Sequence, residues 1–158
     1  MTIEQRLRRL EDLEEIRVLK QRYCKYCDYG WEGAGQDGAK VAELFVADGI
    51  WDTALGGRCQ GRAAIADHFT RHHRANRGLS LHMAINPAIE IDGERASGSW
   101  NGLVASSAGG RAIWIGGRYE DEFVRTAVGW RFTRLKFYAA FWTPYEDGWI
   151  RTRFIEQS

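Results

Sequence analysis

From Leu79 to Ile91 the chain alternates strictly. Leu79, Leu81, Met83, Ile85, Ile89 and Ile91 interleave with Ser80, His82, Ala84, Asn86, Ala88 and Glu90. A period of two is that of a β-strand with two unlike faces, and no helix presents it. Three more long strand patterns follow, at about Arg95 to Ser106, Ala112 to Arg125 and Trp130 to Thr143. Ser107 to Gly110 and Thr126 to Gly129 read as hairpin connections, so these strands are expected to be antiparallel neighbours.

The N-terminal half reads differently. Ile3, Leu7, Leu10, Leu13, Ile16, Leu19, Tyr23 and Tyr26 recur at steps of three and four, which predicts one long helix over residues 2 to 28 with Thr2 as N-cap and those residues inward. Gly30, Gly33, Gly35 and Gly38 then stop the helix and make a loop from Tyr29 to Gly38. A second helix is expected from about Ala39 to Phe45, a strand from Trp51 to Leu55 ending in a Gly56-Gly57 turn, and a third helix from Gly61 to Ala75 with Ile65 and Phe69 inward. Three helices followed by a meander of long strands indicate an α+β fold with the helices on one face of a curved sheet. At 158 residues, with no repeat or linker, residues 1–158 read as a single domain.

Charge narrows the function. Twenty-two basic against 21 acidic side chains give a formal net charge of +1. That supplies no broad field for phosphates or anionic lipid, so neither nucleic acid nor membrane is an expected partner. With no signal-peptide pattern and no apolar run of about 20 residues, a cytoplasmic location is expected. The cysteines Cys24, Cys27 and Cys59 are odd in number, and the Cys24–Cys27 pair falls inside a helix rather than in a strand-to-helix turn, so reduced thiols are expected. Seven Trp, six Tyr and seven Phe crowd into the C-terminal two thirds, a composition that suits a pocket for a flat apolar ligand.

Two residues stand where chemistry could occur. His82 lies on the small, polar row of its strand, which faces solvent or a pocket. Asp28 sits at a helix C-terminus, where a carboxylate opposes the macrodipole and needs another reason to be there. A histidine held by an aspartate is a serviceable general base, because the carboxylate fixes the tautomer and stabilises the imidazolium that forms. His68 and His72 share a helix face at a spacing that can hold a metal. Their context of Asp67, Arg71, His73 and Arg74 reads as a solvated face, and no metal site is predicted. No phosphate loop, nucleophile elbow or nucleotide fingerprint occurs, so no cofactor is implied.

The run from Ile16 to Asp28, with Tyr23, Tyr26 and Cys27 in it, then Leu44-Phe45-Val46-Ala47-Asp48-Gly49-Ile50-Trp51, and later Leu81-His82-Met83-Ala84-Ile85-Asn86-Pro87, resembles in order the signature of the SnoaL-like family of the nuclear transport factor 2-like superfamily. The resemblance covers nearly the whole chain. It implies a cone-shaped, antiparallel or mixed sheet that encloses a pocket with three N-terminal helices. It also implies a cofactor-independent lyase in which His82, paired with Asp28, removes a proton beside the leaving group while Tyr23 donates a hydrogen bond to a leaving oxygen or an enolate. Trp51 matches a pocket tryptophan. The family's lyases also carry an aspartate on the strand after the histidine, or an arginine on the last strand. Those places fall near Val104 and Leu135 here, so a less charged pocket is expected.

Dehydration or a related elimination on a hydrophobic aromatic or polycyclic small molecule is therefore the leading expectation. Formaldehyde-releasing carbon–carbon cleavage and isomerisation by proton transfer use the same dyad. The alternative is a non-catalytic ligand-binding or assembly subunit, like the small subunits of ring-hydroxylating dioxygenases. Candidate pocket walls are Trp31, Phe45, Trp51, Trp100, Phe137, Phe141 and Trp142, and the loop from Tyr29 to Gly38 is a candidate lid. The resemblance further implies a homo-oligomer, a trimer in preference to a dimer, with Trp100, Trp114 and Trp130 as candidates for burial at its interface or in the pocket.

Overall fold

The computed structural model describes residues 1–53, 56–75 and 78–155. Helix α1 (Ile3–Cys27) opens with a capping box: Thr2 accepts from the Gln5 backbone, and the Gln5 side chain accepts from the Thr2 backbone at 2.8 Å. Helix α2 (Gly38–Glu43) leads into β1 (Phe45–Thr53) and β2 (Gly57–Gln60), followed by α3 (Arg62–Ala75). Four long strands complete the sheet: β3 (Ser80–Asp92), β4 (Arg95–Ala108), β5 (Arg111–Thr126) and β6 (Gly129–Pro144). A short helix α4 (Gly148–Arg151), which the sequence pattern did not signal, follows.

The strands form one six-stranded sheet in the order β2-β1-β6-β5-β4-β3. All neighbours are antiparallel except β1 and β6, which run parallel and make the sheet mixed. Strand β1 begins at Phe45 rather than at Trp51. The expected strand end at residues 54 and 55 lies outside the described residues.

Two expectations about faces are corrected. The buried side of α1 is Asp12, Ile16, Leu19, Lys20, Tyr23, Cys24 and Cys27, whereas Ile3, Leu7 and Leu10 are exposed because the helix's first two turns have little packed against them. The alternation in β3 also does not hold one face throughout. A register shift between Ile85 and Ala88, with Asn86 at φ 54°, inserts an irregularity. Before it Ser80, His82 and Ala84 turn inward; after it Ile89 and Ile91 do, while Ile85 is exposed. A bulge flips side-chain parity, so one strand offers a polar row to the cavity at one end and an apolar row to the core at the other.

The core lies between the helices and the sheet, where Ile16, Val41, Phe45, Ile65, Trp130, Phe132 and Leu135 are fully buried. Each such side chain contributes about 1.5–3 kcal/mol on burial. Beneath them Lys20 Nζ donates to Asp121 Oδ2 at 2.8 Å, both side chains being essentially inaccessible.

Candidate active site

Asp28 is the C-cap of α1, and its N–H still donates to the Cys24 carbonyl at 3.1 Å. The next residue leaves the helix and bridges to β3: Tyr29 and Ser80 exchange backbone hydrogen bonds of 3.3 and 3.0 Å. Gly30 makes this possible. It adopts φ +83°, and a Cβ there would stand 1.9 Å from the Gly78 carbonyl oxygen. Trp31, half-exposed, donates its Nε1–H to the Ser80 carbonyl at 3.0 Å and reinforces the same junction.

This junction sets Asp28 against residue 82. Asp28 Oδ1 accepts the His82 backbone N–H at 2.8 Å and lies 2.8 Å from His82 Nδ1. The network assigns the proton to Nδ1, since an ionised carboxylate only accepts. His82 Nε2 is then left with its lone pair. The carboxylate is buried and the imidazole is partly open to a cavity of about 380 Å³.

The cavity is lined by Tyr23 and Cys27 from α1, Trp51 and Thr53 from β1, His68, Phe69 and His72 from α3, and Ser80 and His82 from β3. Gly56, with Val104, Ser106, Ile115, Tyr119, Phe137 and Trp142 from β4, β5 and β6, completes it. Among the described residues no Asp, Glu, Lys or Arg lines it. Trp51 donates its Nε1–H to the Tyr23 hydroxyl at 2.9 Å, which leaves the Tyr23 proton free to point elsewhere. Burial pushes the Tyr23 and Tyr119 phenols and the Cys27 thiol well above their ordinary ranges, and Cys24 up to about 11, so all four are protonated at neutral pH. A protonated, buried thiol is a poor nucleophile.

Of the sequence candidates, Asp28, His82, Tyr23, Trp51, Phe137 and Trp142 come together at this cavity. Four others stand elsewhere. Phe45 is core, 5.1 Å from the Phe132 ring. Trp100 packs against Phe123 and beside the Lys20 ammonium. Phe141 stacks on Trp149 at 5.0 Å, and Trp31 braces the Ser80 backbone. Strand alternation turns Phe141 toward Gly116 and away from the cavity, whereas Phe45 and Trp100, which shares parity with the cavity-lining Val104, lie in the core beyond it. Trp100 and Trp130 are also buried inside the protomer, Trp130 Nε1 donating to Asp12 at 3.2 Å, so neither is available to an intersubunit contact.

His68 and His72 line the cavity rather than a solvated face. Ile65, Phe69 and His73 form the buried stripe of α3, and residues 68 and 72 lie just beside it. Their position relative to Ile65 and Phe69 was the available signal, which the neighbouring charges masked. His68 lies 4.6 Å from the Trp51 ring, and His72 stands at the cavity mouth with its outer edge open. Partial burial lowers the pKa of both, and for His72 the nearby imidazoles of His68, His73 and His82 lower it further.

The SnoaL-like domain family matches residues 8–136, most of the chain. The chain belongs to this family. A nuclear transport factor 2-like protein with a cystatin-like fold from Novosphingobium aromaticivorans is 31% identical. It covers 85% of this SnoaL-like chain and 86% of its own, with a TM-score of 0.68. The hexachlorocyclohexane dehydrochlorinase of Novosphingobium barchaimii shares the fold at 20% identity, with a TM-score of 0.75 over 87% of this chain and 92% of its own. A protein of Mycobacterium tuberculosis is 29% identical over 94 residues, 58% of this chain. The match spans 64% of that relative's length. Among the described residues no helix is long and apolar enough to cross a membrane.

Proposed function

We propose that this cavity is the active site of a cofactor-independent lyase acting on a hydrophobic aromatic or polycyclic small molecule. The observation that carries the reading is the contact of Asp28 with both N–H groups of His82 at the edge of a cavity walled by Trp51, Phe137 and Trp142. His82 Nε2 takes a proton from a carbon beside an activating group. The C–H electron pair becomes a new carbon–carbon π bond, and the pair of the adjacent carbon–oxygen bond leaves with the oxygen. Asp28 holds the ring and offsets the charge of the imidazolium, which returns its proton to the departing oxygen or to water. Tyr23, kept protonated by burial, donates to that oxygen or to an enolate. The dehydrochlorination performed by the structural neighbour is an elimination of the same kind.

Isomerisation by proton transfer would use the same base and return the proton to a different carbon. The test is a panel of aryl ketones bearing a β-hydroxyl, incubated in D₂O and followed by NMR. Loss of water is expected from the wild type, slowed by about 100- to 10,000-fold in His82→Ala. Deuterium uptake without loss of water would instead favour the isomerase. Ligand binding with no turnover on any member, in a protein saturated by that ligand, would favour a binding or assembly module.

A further inference from the structure

We propose that His68 is a second substrate-contacting group, whose ring N–H donates a hydrogen bond to an oxygen on an uncharged aromatic ligand lying against Trp51. This deepens the active-site reading above and rests on it. His68 comes from α3 and packs 4.6 Å from the Trp51 indole, with 5.4 Å to the Phe69 ring. Trp51 is itself held through its Nε1–H to the Tyr23 hydroxyl at 2.9 Å, which orients the platform under His68. Neither ring nitrogen of His68 has a hydrogen-bond partner among the described residues, although the imidazole lines the cavity and is half-buried. A partly desolvated N–H without a partner gains most from a ligand that supplies one.

His68 and His82 enter the cavity from different elements, α3 and β3. A flat ligand in the cavity thus meets a proton acceptor from the sheet and a donor from the helix. Burial lowers the His68 pKa, so at neutral pH it acts as a neutral donor and brings no second positive charge to the site. With no carboxylate, ammonium or guanidinium on the wall among the described residues, the matching ligand is neutral and carries its oxygen as a hydroxyl, ether or carbonyl.

Two uncharged probes of similar shape, 4-bromophenol and 4-bromotoluene, separate the oxygen from the ring. Binding is followed by tryptophan fluorescence quenching in the wild type and in His68→Phe, which keeps an aromatic ring on Trp51 but removes the donor. 4-Bromophenol is expected to weaken by roughly tenfold in the variant, and 4-bromotoluene by less than about twofold. His68→Gln, which retains an N–H donor, should recover part of the loss. In the intact protein the ¹⁵N resonance of His68 should move with the phenol and stay with the toluene. An unchanged ratio of the two affinities in His68→Phe, together with an unmoved His68 resonance, overturns the proposal, as does failure of both probes to bind the wild type. The dyad is read separately from loss of water in the ketone panel. If His82→Ala keeps wild-type turnover there while the His68 effect persists, the base assignment fails and the His68 contact stands.

Discussion

One oxygen of Asp28 accepts both the backbone N–H and the ring Nδ1 proton of His82, at 2.8 Å each. The aspartate therefore fixes the strand residue at two points, main chain and side chain. Loss of its negative charge acts on both. In Asp28→Asn the amide can still accept from the backbone, but it no longer offsets a positive charge on the ring. The expected outcome is a loss of about 100- to 10,000-fold in turnover on whichever substrate the ketone panel returns, with ligand binding retained. Steady-state kinetics in which kcat falls and KM changes little would bear this out.

The junction that brings Asp28 to β3 depends on Gly30. At φ +83°, and with the Gly78 carbonyl where a Cβ would go, Gly30→Ala combines an unfavourable backbone conformation with a backbone clash. The left-handed conformation alone costs an L-residue about 1–2 kcal/mol, so a lower melting temperature is expected. The Tyr29–Ser80 hydrogen bonds should be lost with it, visible as faster amide exchange at Ser80. Equal stability and equal exchange would contradict this role.

Below the cavity floor, Lys20 and Asp121 form an ion pair inaccessible to solvent, and the Lys20 ammonium sits 3.4 Å from the Tyr119 ring centroid. Removing one partner strands the other charge. Lys20→Met is expected to destabilise the fold by about 3–5 kcal/mol, whereas the double replacement Lys20→Met with Asp121→Leu should recover much of that loss. Urea denaturation of the two variants against the wild type makes the comparison.

Three histidines on one helix give the fold a dependence on acid. Burial lowers the pKa of His68, His72 and His73 below the ordinary 6.5. As pH falls through about 6.5 the unfolded chain takes up protons that the folded chain refuses. The stability is thus fully present above that pH and is lost below it, down to about 4 for His72. The His72 share is modest because its outer edge is open to water. Urea midpoints at pH 7.5 and pH 5 should show the loss, and His73→Phe should make the pH slope shallower.

The sequence made some of this legible. The Thr2 cap, the long helix ending near Asp28 and the four-strand meander follow from periodicity and turn residues, because those signals are local. The pairing of His82 with Asp28 was expected from a family pattern, since nothing local brings residues 54 positions apart into contact. The bulge after Ile85 was missed because Asn86-Pro87 sits inside an otherwise regular alternation, and one irregular residue pair reverses every face beyond it. His68 was misread because Asp67 and Arg71, which pair with each other at 2.8 Å on the outer side of α3, gave that helix a solvated look. Nothing local signals the pairing of Lys20 with Asp121, because the tertiary fold joins residues 101 positions apart.

The base assignment rests on which ring nitrogen of His82 carries the proton, and ¹⁵N NMR of the uniformly labelled protein at neutral pH reads this without any substrate. The neutral form of the His82 ring is expected to carry its proton on Nδ1 toward Asp28 and to leave Nε2 unprotonated at the cavity, a preference disturbed in Asp28→Asn. A His82 ring that carries its proton on Nε2, with Nδ1 bare, would leave no lone pair facing the cavity and would contradict it.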